Sequence, residues 1–528
     1  MNDKTIIKGL IKKGEYYDSV SLMQVARKLR ELPGIVDSAV VMGSGENKAI
    51  LESAGLLINQ FQSANDNDLL IAIAVKDTNS ADKAIAEIDS LLKSLKTIDE
   101  NSASNIKPRT IAEAQKIIPD SNLALISIAG KYAGDEAMKA LKNGLHVMMF
   151  SDNVPLEKEI ELKKYAASKG LLMMGPDCGT AIINGVPLGF ANAVKRGQIG
   201  IVAASGTGLQ EASCIIANES EGISQAIGTG GRDISEPVGG IMFIEAIKAL
   251  ADDSDTKVLL LISKPPHPKV LSKIGTTLKN IAKPVVAVFL GADIEQLNSH
   301  DIIATPSLEQ GALAAVALTR NGNLSDINKH IADRDSDLIK IAKSETSKFN
   351  HQQKYMRGLF SGGTFCYEAQ VLLSEIITGV YSNAPWGDNH QLKSALLSEK
   401  HTLIDLGADE FTVGRLHPMI DYSLRNKRII QEANDPETAV ILLDLVLGYG
   451  VIENPLDEIV PAIKETQTIA KDNSRHLPII CSVTGTDSDP QNRKAIIQGL
   501  KDIDVMVMES NAATCKLAGF IIKELAQR

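Results

Sequence analysis

The sequence predicts a multi-domain α/β protein: a small N-terminal α/β domain, a Rossmann-like domain, and two flavodoxin-like domains. Three observations predict it. The chain has 528 residues, beyond the size at which one hydrophobic core stops growing, so three or four domains are expected. Short apolar runs alternate with stretches of helical period, the βα rhythm of parallel sheets. Aromatic residues make up only 4%, with Trp386 the single tryptophan, which suits buried parallel strands of Val, Ile, Leu and Ala.

Each element follows in order. Residues 6–11, 38–42 and 69–75 read as strands and 20–31 and 81–95 as helices, giving a small α/β domain over 1–100. The polar segment 97–108 reads as a linker ending in Lys107-Pro108. From Thr110 the alternation is regular: strands at 123–128, 145–150 and 171–174, helices at 133–143 and 156–169, a Rossmann-like domain over 110–196. Strands at 199–203, 226–228, 258–262 and 285–289 form a flavodoxin-like domain over 197–320. The charged, strandless stretch 321–354 reads as a connection, and 355–528 as a second flavodoxin-like domain.

The last two domains echo each other. Ser205-Gly206-Thr207-Gly208 through Glu211-Ala212 is matched by Ser361-Gly362-Gly363-Thr364 through Glu368-Ala369, reading Ser205 against Ser361. Residues 226–233, 258–262 and 283–288 are then matched, in the same order, by 404–409, 440–444 and 477–483. Four echoes in one order indicate an internal duplication.

Composition narrows function. With 55 Lys+Arg against 65 Asp+Glu the net charge is −10, which counts against nucleic acid or an anionic membrane as partner. No uncharged apolar stretch approaches the roughly 18 residues of a membrane span. The start, Met1-Asn2-Asp3-Lys4-Thr5, lacks a signal-peptide core, and Cys178, Cys214, Cys366, Cys481 and Cys515 are odd in number and scattered. A soluble cytoplasmic protein with free thiols and no metal site is expected.

The candidate chemistry lies in loops that follow strands. Ser205, Gly206, Thr207 and Gly208, and again Ser361, Gly362, Gly363 and Thr364, each open a helix. Its first amides and dipole suit a phosphate, the alternative being a well-capped helix. Gly230 and Gly231 can present amides, and Arg232 a fork, to a carboxylate or phosphate. Asp177 and Cys178 flank the same region. No second Cys or His is spaced for a metal, and Cys178 itself reads as part of a structural turn. In 414–425, Gly414, Arg415, His417, Asp421 and Arg425 suit a small dicarboxylate-like substrate, with His417 as proton carrier and Ser205 as the other catalytic candidate. The alternative there is a solvated charged loop. Gly448-Tyr449-Gly450 and Thr484-Gly485-Thr486-Asp487 read as further strand-end loops, and 43–48 as a weaker phosphate loop.

These residues carry a resemblance. Gly175-Pro176-Asp177-Cys178, then Ser205-Gly206-Thr207 and Glu211-Ala212, then Gly228-Thr229-Gly230-Gly231 resemble the α subunit of succinyl-CoA synthetase. Asp405-Leu406-Gly407, 440–444 and Gly448 resemble the CoA-ligase domain of its β subunit. With Lys12-Lys13-Gly14, 18–23 and 148–153, the chain is similar over essentially its whole length to the FdrA family of acyl-CoA synthetase-like proteins. The resemblance implies succinyl-CoA synthetase-type flavodoxin-like domains and a CoA-binding-like Rossmann domain.

The departures are informative. The Gly-rich CoA loop, the Gly-His-Ala-Gly phosphohistidine motif and an ATP-grasp domain are not visible; the nearest histidine is His300, without flanking glycines. This counts against CoA and against ATP-driven phosphorylation by the chain alone. The FdrA resemblance implies an oxamate carbamoyltransferase subunit of allantoin degradation acting with two further subunits. Oxalurate plus phosphate would give oxamate plus carbamoyl phosphate, with inorganic phosphate as co-substrate, the Ser205 and Ser361 loops on phosphate, and Arg232 or Arg415 on the carboxylate. The alternatives are acyl-CoA formation through an acyl phosphate and a non-catalytic scaffold subunit.

Overall fold

The computed structural model describes residues 6–528 apart from 16, 18, 101–107, 299–301 and 413–414, so His300 and Gly414 lie outside the described residues. The chain forms two compact units, 1–110 with 408–417, and 111–407 with 418–528.

The first unit is built on an antiparallel sheet of β1 (Ile6–Lys12), β2 (Ile35–Met42) and β3 (Leu69–Val75) in the order β1-β3-β2. Every residue of β3 is buried because both faces of the strand are covered. Its period of two sends Leu69, Ile71, Ile73 and Val75 against Leu22, Val25, Leu29, Ala84 and Ile88 of two helices. Leu70, Ala72 and Ala74 pack on Leu51, Leu56 and Phe61 on the opposite face. The helix Thr78–Glu100 runs on into the segment that the sequence reads as linker.

The second unit begins with a parallel sheet, β4 (Leu123–Ile126), β5 (His146–Met149) and β6 (Met173–Met174). The antiparallel pair β7 (Thr180–Ile183) and β8 (Val186–Gly189) follows. It extends the edge of a sheet whose other strands are β9 (Arg196–Ala203), β10 (Ile223–Gly228), β11 (Val258–Ser263), β12 (Val285–Phe289) and β13 (Ile303–Ala304). The helix Leu324–Thr346 crosses to the second repeat, and 321–354 holds no strand. There β14 (Tyr355–Phe360), β15 (Val380–Ser382), β16 (His390–Gln391), β17 (His401–Asp405), β18 (Thr438–Val446), β19 (Ile479–Thr484) and β20 (Met506–Met508) form an all-parallel sheet.

The two sheets share a core topology. The first runs β10-β9-β11-β12-β13 and the second β17-β14-β18-β19-β20, each the flavodoxin order 2-1-3-4-5. The repeats are welded: Ile201, Leu209, Leu260, Val288 and Ala312 of one belong to the same buried cluster as Phe360, Phe365, Leu442, Ile480 and Ala518 of the other. Fully buried strands such as Thr438–Val446 explain why they read as unbroken apolar runs.

Candidate functional site

The helices Gly206–Asn218 and Gly363–Ser374 each begin directly after the first strand of a repeat, and their N-termini meet. Ser205 is extended (φ −158°, ψ 119°) and its hydroxyl accepts from the Gly208 amide at 3.0 Å, an N-cap worth about 1 kcal/mol. The same hydroxyl lies 2.6 Å from Thr364 Oγ1 of the other repeat. The second helix is capped by Gly362, with no side-chain cap bond.

Matching caps puts Ser205 opposite Gly362, Thr207 opposite Thr364 and Glu211 opposite Glu368 without a gap. The position equivalent to Ser361 is therefore Ala204, not Ser205 as the sequence echo suggests. The contacts are then reciprocal: Ser205 meets Thr364, and Gly362 meets Thr207, where an added Cβ would stand 2.6 Å from Thr207 Cγ2. A Cβ on Gly363 would stand 2.6 Å from Asp405 Oδ2, so close approach dictates both glycines.

Two helix N-termini thus point their unsatisfied amides and positive dipole ends toward one junction. Ser205, Gly206, Gly363 and Thr364 reach the surface, while Thr207, Gly208, Ser361 and Gly362 are buried. Neighbouring loops close in. A Cβ on Gly206 would lie 3.5 Å from Thr180 Oγ1, and one on Gly231 3.9 Å from the Ala204 carbonyl. Such a junction can hold a phosphate and stabilise a developing oxyanion beside it.

The remaining predicted residues are placed as follows. Ser361 faces inward: its amide donates to Asp444 Oδ1 at 2.7 Å and its hydroxyl to Asp444 Oδ2. Arg232 pairs with Glu159 at 2.9 Å and donates to the Val154 carbonyl at 2.8 Å, anchoring it to the Rossmann-like part. Gly230 adopts φ 83° and lies against the Pro176 carbonyl, too close for a side chain. Asp177 is exposed at φ 56°. Cys178 is buried with its thiol toward the Gly228 carbonyl at 3.4 Å, and burial pushes it up to about 12, which fits the inert turn read from sequence. Arg415 and His417 belong to the first unit. Arg415 is an exposed partner of Asp37 at 3.4 Å. Burial lowers His417 to about 4, so its imidazole is neutral near pH 7. The loops at Gly448 and Thr484–Asp487 pack on residues 190–193: Asp489 accepts from Asn192 at 2.9 Å and from the Ala193 amide at 2.6 Å, and Tyr449 N–H donates to the Ala191 carbonyl at 2.8 Å.

Three groups escaped sequence reasoning. Lys163, fully buried, bridges Glu159, Asp233 and the Thr229 carbonyl at 2.8, 2.8 and 3.0 Å, fixing the 228–233 loop. Its helix reads as an ordinary charged surface face, and no signal marks it. Glu211 and Glu368 cap across the repeats: Glu211 accepts from the Asn511 amide at 3.0 Å, and Glu368 from the Leu308 amide at 2.8 Å. Asp444 was visible in principle, as the one charge in a buried apolar strand.

Fold and junction together define an α/β protein with a duplicated flavodoxin-like fold. A family model described as CoA-ligase matches residues 359–521, one described as a CoA binding domain matches 194–291, and one described as AllF, heavy metal-associated domain, matches 4–108. The CoA-binding match thus falls on the first flavodoxin-like sheet, beyond the 110–196 segment compared with such a domain above. The chain is 42% identical over 512 residues, 97% of its length and 98% of the other's, to the uncharacterized protein YahF of Escherichia coli (strain K12), and it belongs to the YahF family. It is 26% identical over 230 residues, 42% of this chain and 70% of the relative, to the succinate–CoA ligase [ADP-forming] subunit alpha of Staphylococcus epidermidis. Among solved structures it is similar to a dinucleotide-forming acetyl-coenzyme A synthetase of Ca. Korarchaeum cryptofilum, at 12% identity and TM-score 0.35, covering 81% and 87% of the two chains.

The heavy-metal description does not fit this chain's residues. Residues 4–108 contain no Cys and no His, the thiolate and imidazole donors that soft and borderline metals select. Among the described residues no cluster of three or more His, Cys, Asp or Glu is placed to hold a metal ion. Nor is any helix among them long and apolar enough to cross a membrane.

Proposed function

We propose that the second unit transfers an acyl group by way of an acyl phosphate, with the phosphate seated between the N-termini of Gly206–Asn218 and Gly363–Ser374. The observation that carries this reading is the meeting of Ser205 and Thr364 at 2.6 Å, which brings together two helix ends of the kind that bind anions. The CoA-ligase and CoA-binding matches and the succinate–CoA ligase relative support chemistry of the acid–thiol ligase class. In that direction a phosphate oxygen attacks the thioester carbonyl, the amides hold the tetrahedral oxyanion, the C–S bond breaks, and the proton lost by the phosphate ends on sulfur, releasing CoA as its thiol.

A second reading is carbamoyl transfer. It is supported by the AllF match over 4–108, the FdrA resemblance and the lack of a Gly-His-Ala-Gly sequence. Phosphate would attack the ureido carbonyl of oxalurate, the C–N bond would break, and the nitrogen would take a proton to leave as oxamate, with carbamoyl phosphate as the other product. Two further subunits would complete this enzyme.

The test is phosphate-dependent turnover of purified protein, alone and with co-purifying partners, on succinyl-CoA and on oxalurate. Thiol release with succinyl-CoA is expected on the first reading and carbamoyl phosphate on the second. Absence of both, with partners present, would reject acyl-phosphate chemistry at this junction. Ser205→Ala and Thr364→Ala should each weaken inorganic phosphate binding by about tenfold, near 1.4 kcal/mol.

A further inference from the structure

The two repeats fix their phosphate-facing loops by different means. In the first, Ser205 caps its own helix through the Gly208 amide. The preceding residue, Ala204, carries no hydroxyl, and its amide donates to the Ile262 carbonyl at 2.9 Å. In the second, Gly362 offers no side-chain cap, and residue 361 is a serine whose two donors both go to Asp444. Asp444 stands where the first repeat has Ile262, in a strand otherwise apolar from Ala439 to Val446.

Asp444 is wholly buried and has one cationic neighbour, Arg425, whose Nη1 lies 3.7 Å from Asp444 Oδ1 and donates to the Asp444 carbonyl at 2.6 Å. Arg425 is itself buried, stacked 4.2 Å from the Tyr422 ring centroid, and its Nε and Nη2 have no hydrogen-bond partner. A dyad that leaves two guanidinium donors unsatisfied is poorly built for stability alone. Asp444 connects outward through Ser361 to the loop that presents Gly363 and Thr364.

We propose that Asp444 is a positioning residue: held by Arg425, it draws Ser361 inward, substitutes for the cap that Gly362 lacks, and so delivers Thr364 and the Gly363 amide to the junction with Ser205. The substitution of Ile262 and Ala204 by Asp444 and Ser361 makes a duplicated site asymmetric. This inference rests on the phosphate reading of the junction, and its test separates the two.

The test compares wild type, Asp444→Asn, and Asp444→Asn combined with Arg425→Met, by inorganic phosphate titration, amide hydrogen exchange and thermal melting. Asp444→Asn should raise the phosphate Kd by about tenfold and speed exchange at 361–364 by a similar factor, as expected for one lost charge-assisted bond of about 1.4 kcal/mol. It should also lower the melting temperature, since Arg425 is left unbalanced. The double variant should recover the melting temperature while Kd and local exchange stay altered. Recovery of all three would overturn the proposal, because Asp444 would then merely balance Arg425. Unchanged exchange at 361–364 in folded Asp444→Asn would also overturn it. If wild type binds no phosphate the reading of the junction fails, and exchange at 361–364 still decides the role of Asp444.

Discussion

At the scale of single residues, the second unit depends on a few buried charges that hold loops in place. Lys163 is the clearest: its ammonium is the shared partner of Glu159 and Asp233, both buried, and Asp233 in turn accepts from the Phe243 amide at 2.6 Å at the start of the helix Ile241–Asp252. Lys163→Met leaves Asp233 without a cation and Glu159 with Arg232 alone, and should destabilise the unit by about 3–5 kcal/mol in chemical denaturation. A loss below about 1 kcal/mol would show that the network is dispensable. None of this is legible in the sequence, because Glu159 and Lys163 have the spacing of a surface i,i+4 pair, and only the 228–233 loop folding over them buries both.

At the scale of elements, the N-termini of four helices are tied across the repeats. Glu211 and Glu368 sit at equivalent positions of two equivalent helices, and each accepts the first amide of the last helix of the other repeat, Asn511 or Leu308. Glu368 also accepts from Asn511 Nδ2 at 2.8 Å, Glu211 from the Thr484 hydroxyl, and Glu309 stands nearby, paired with Arg334. Burial among these groups raises Glu368 from 4.5 to about 7, and burial raises Glu211 as well. The sign follows: an acid raised in the folded state binds protons that the unfolded chain releases. Its contribution is therefore greatest below about pH 4.5, falls as the pH rises from there to about 7, and is gone above. The fall is on the order of 3 kcal/mol for Glu368. Wild type should thus lose stability relative to Glu368→Gln between pH 5 and pH 7.5, by denaturant titration at each pH. An equal difference at both values would contradict the assignment.

The sequence foretold the elements better than their joins. The strand Val285–Phe289 falls where its apolar run lies, and β3 likewise, because buried strands write themselves as short Val, Ile and Leu runs. The two Ser-Gly loops were legible as helix starts for the same local reason. Their true alignment was not: the recurrence of Ser-Gly at 361–362 disguised a shift of one residue that only the cap positions at Ser205 and Gly362 reveal. Which hydroxyl faces out and which faces in depends on Asp444, some eighty residues further on.

At the scale of the whole molecule, the second unit is a duplicated flavodoxin-like fold whose halves share a hydrophobic core, which packs the two helices of the junction against each other. On the proposed reading, the two helix dipoles would act on an anion at this junction, the kind of fixed dipole that oxyanion stabilisation requires. The first unit carries a three-stranded antiparallel sheet, and residues 4–108, over which the heavy-metal-associated model matches, contain no Cys and no His.

The central claim is that the two helix ends form one anion site. Its most direct measurement is a crystal of the protein soaked in tungstate, a heavy analogue of phosphate, and read by anomalous scattering. A single peak within hydrogen-bond reach of Ser205, Thr364 and the Gly363 amide is predicted, lost in Thr364→Ala. A crystal with tungstate bound elsewhere and none at this junction would contradict the account.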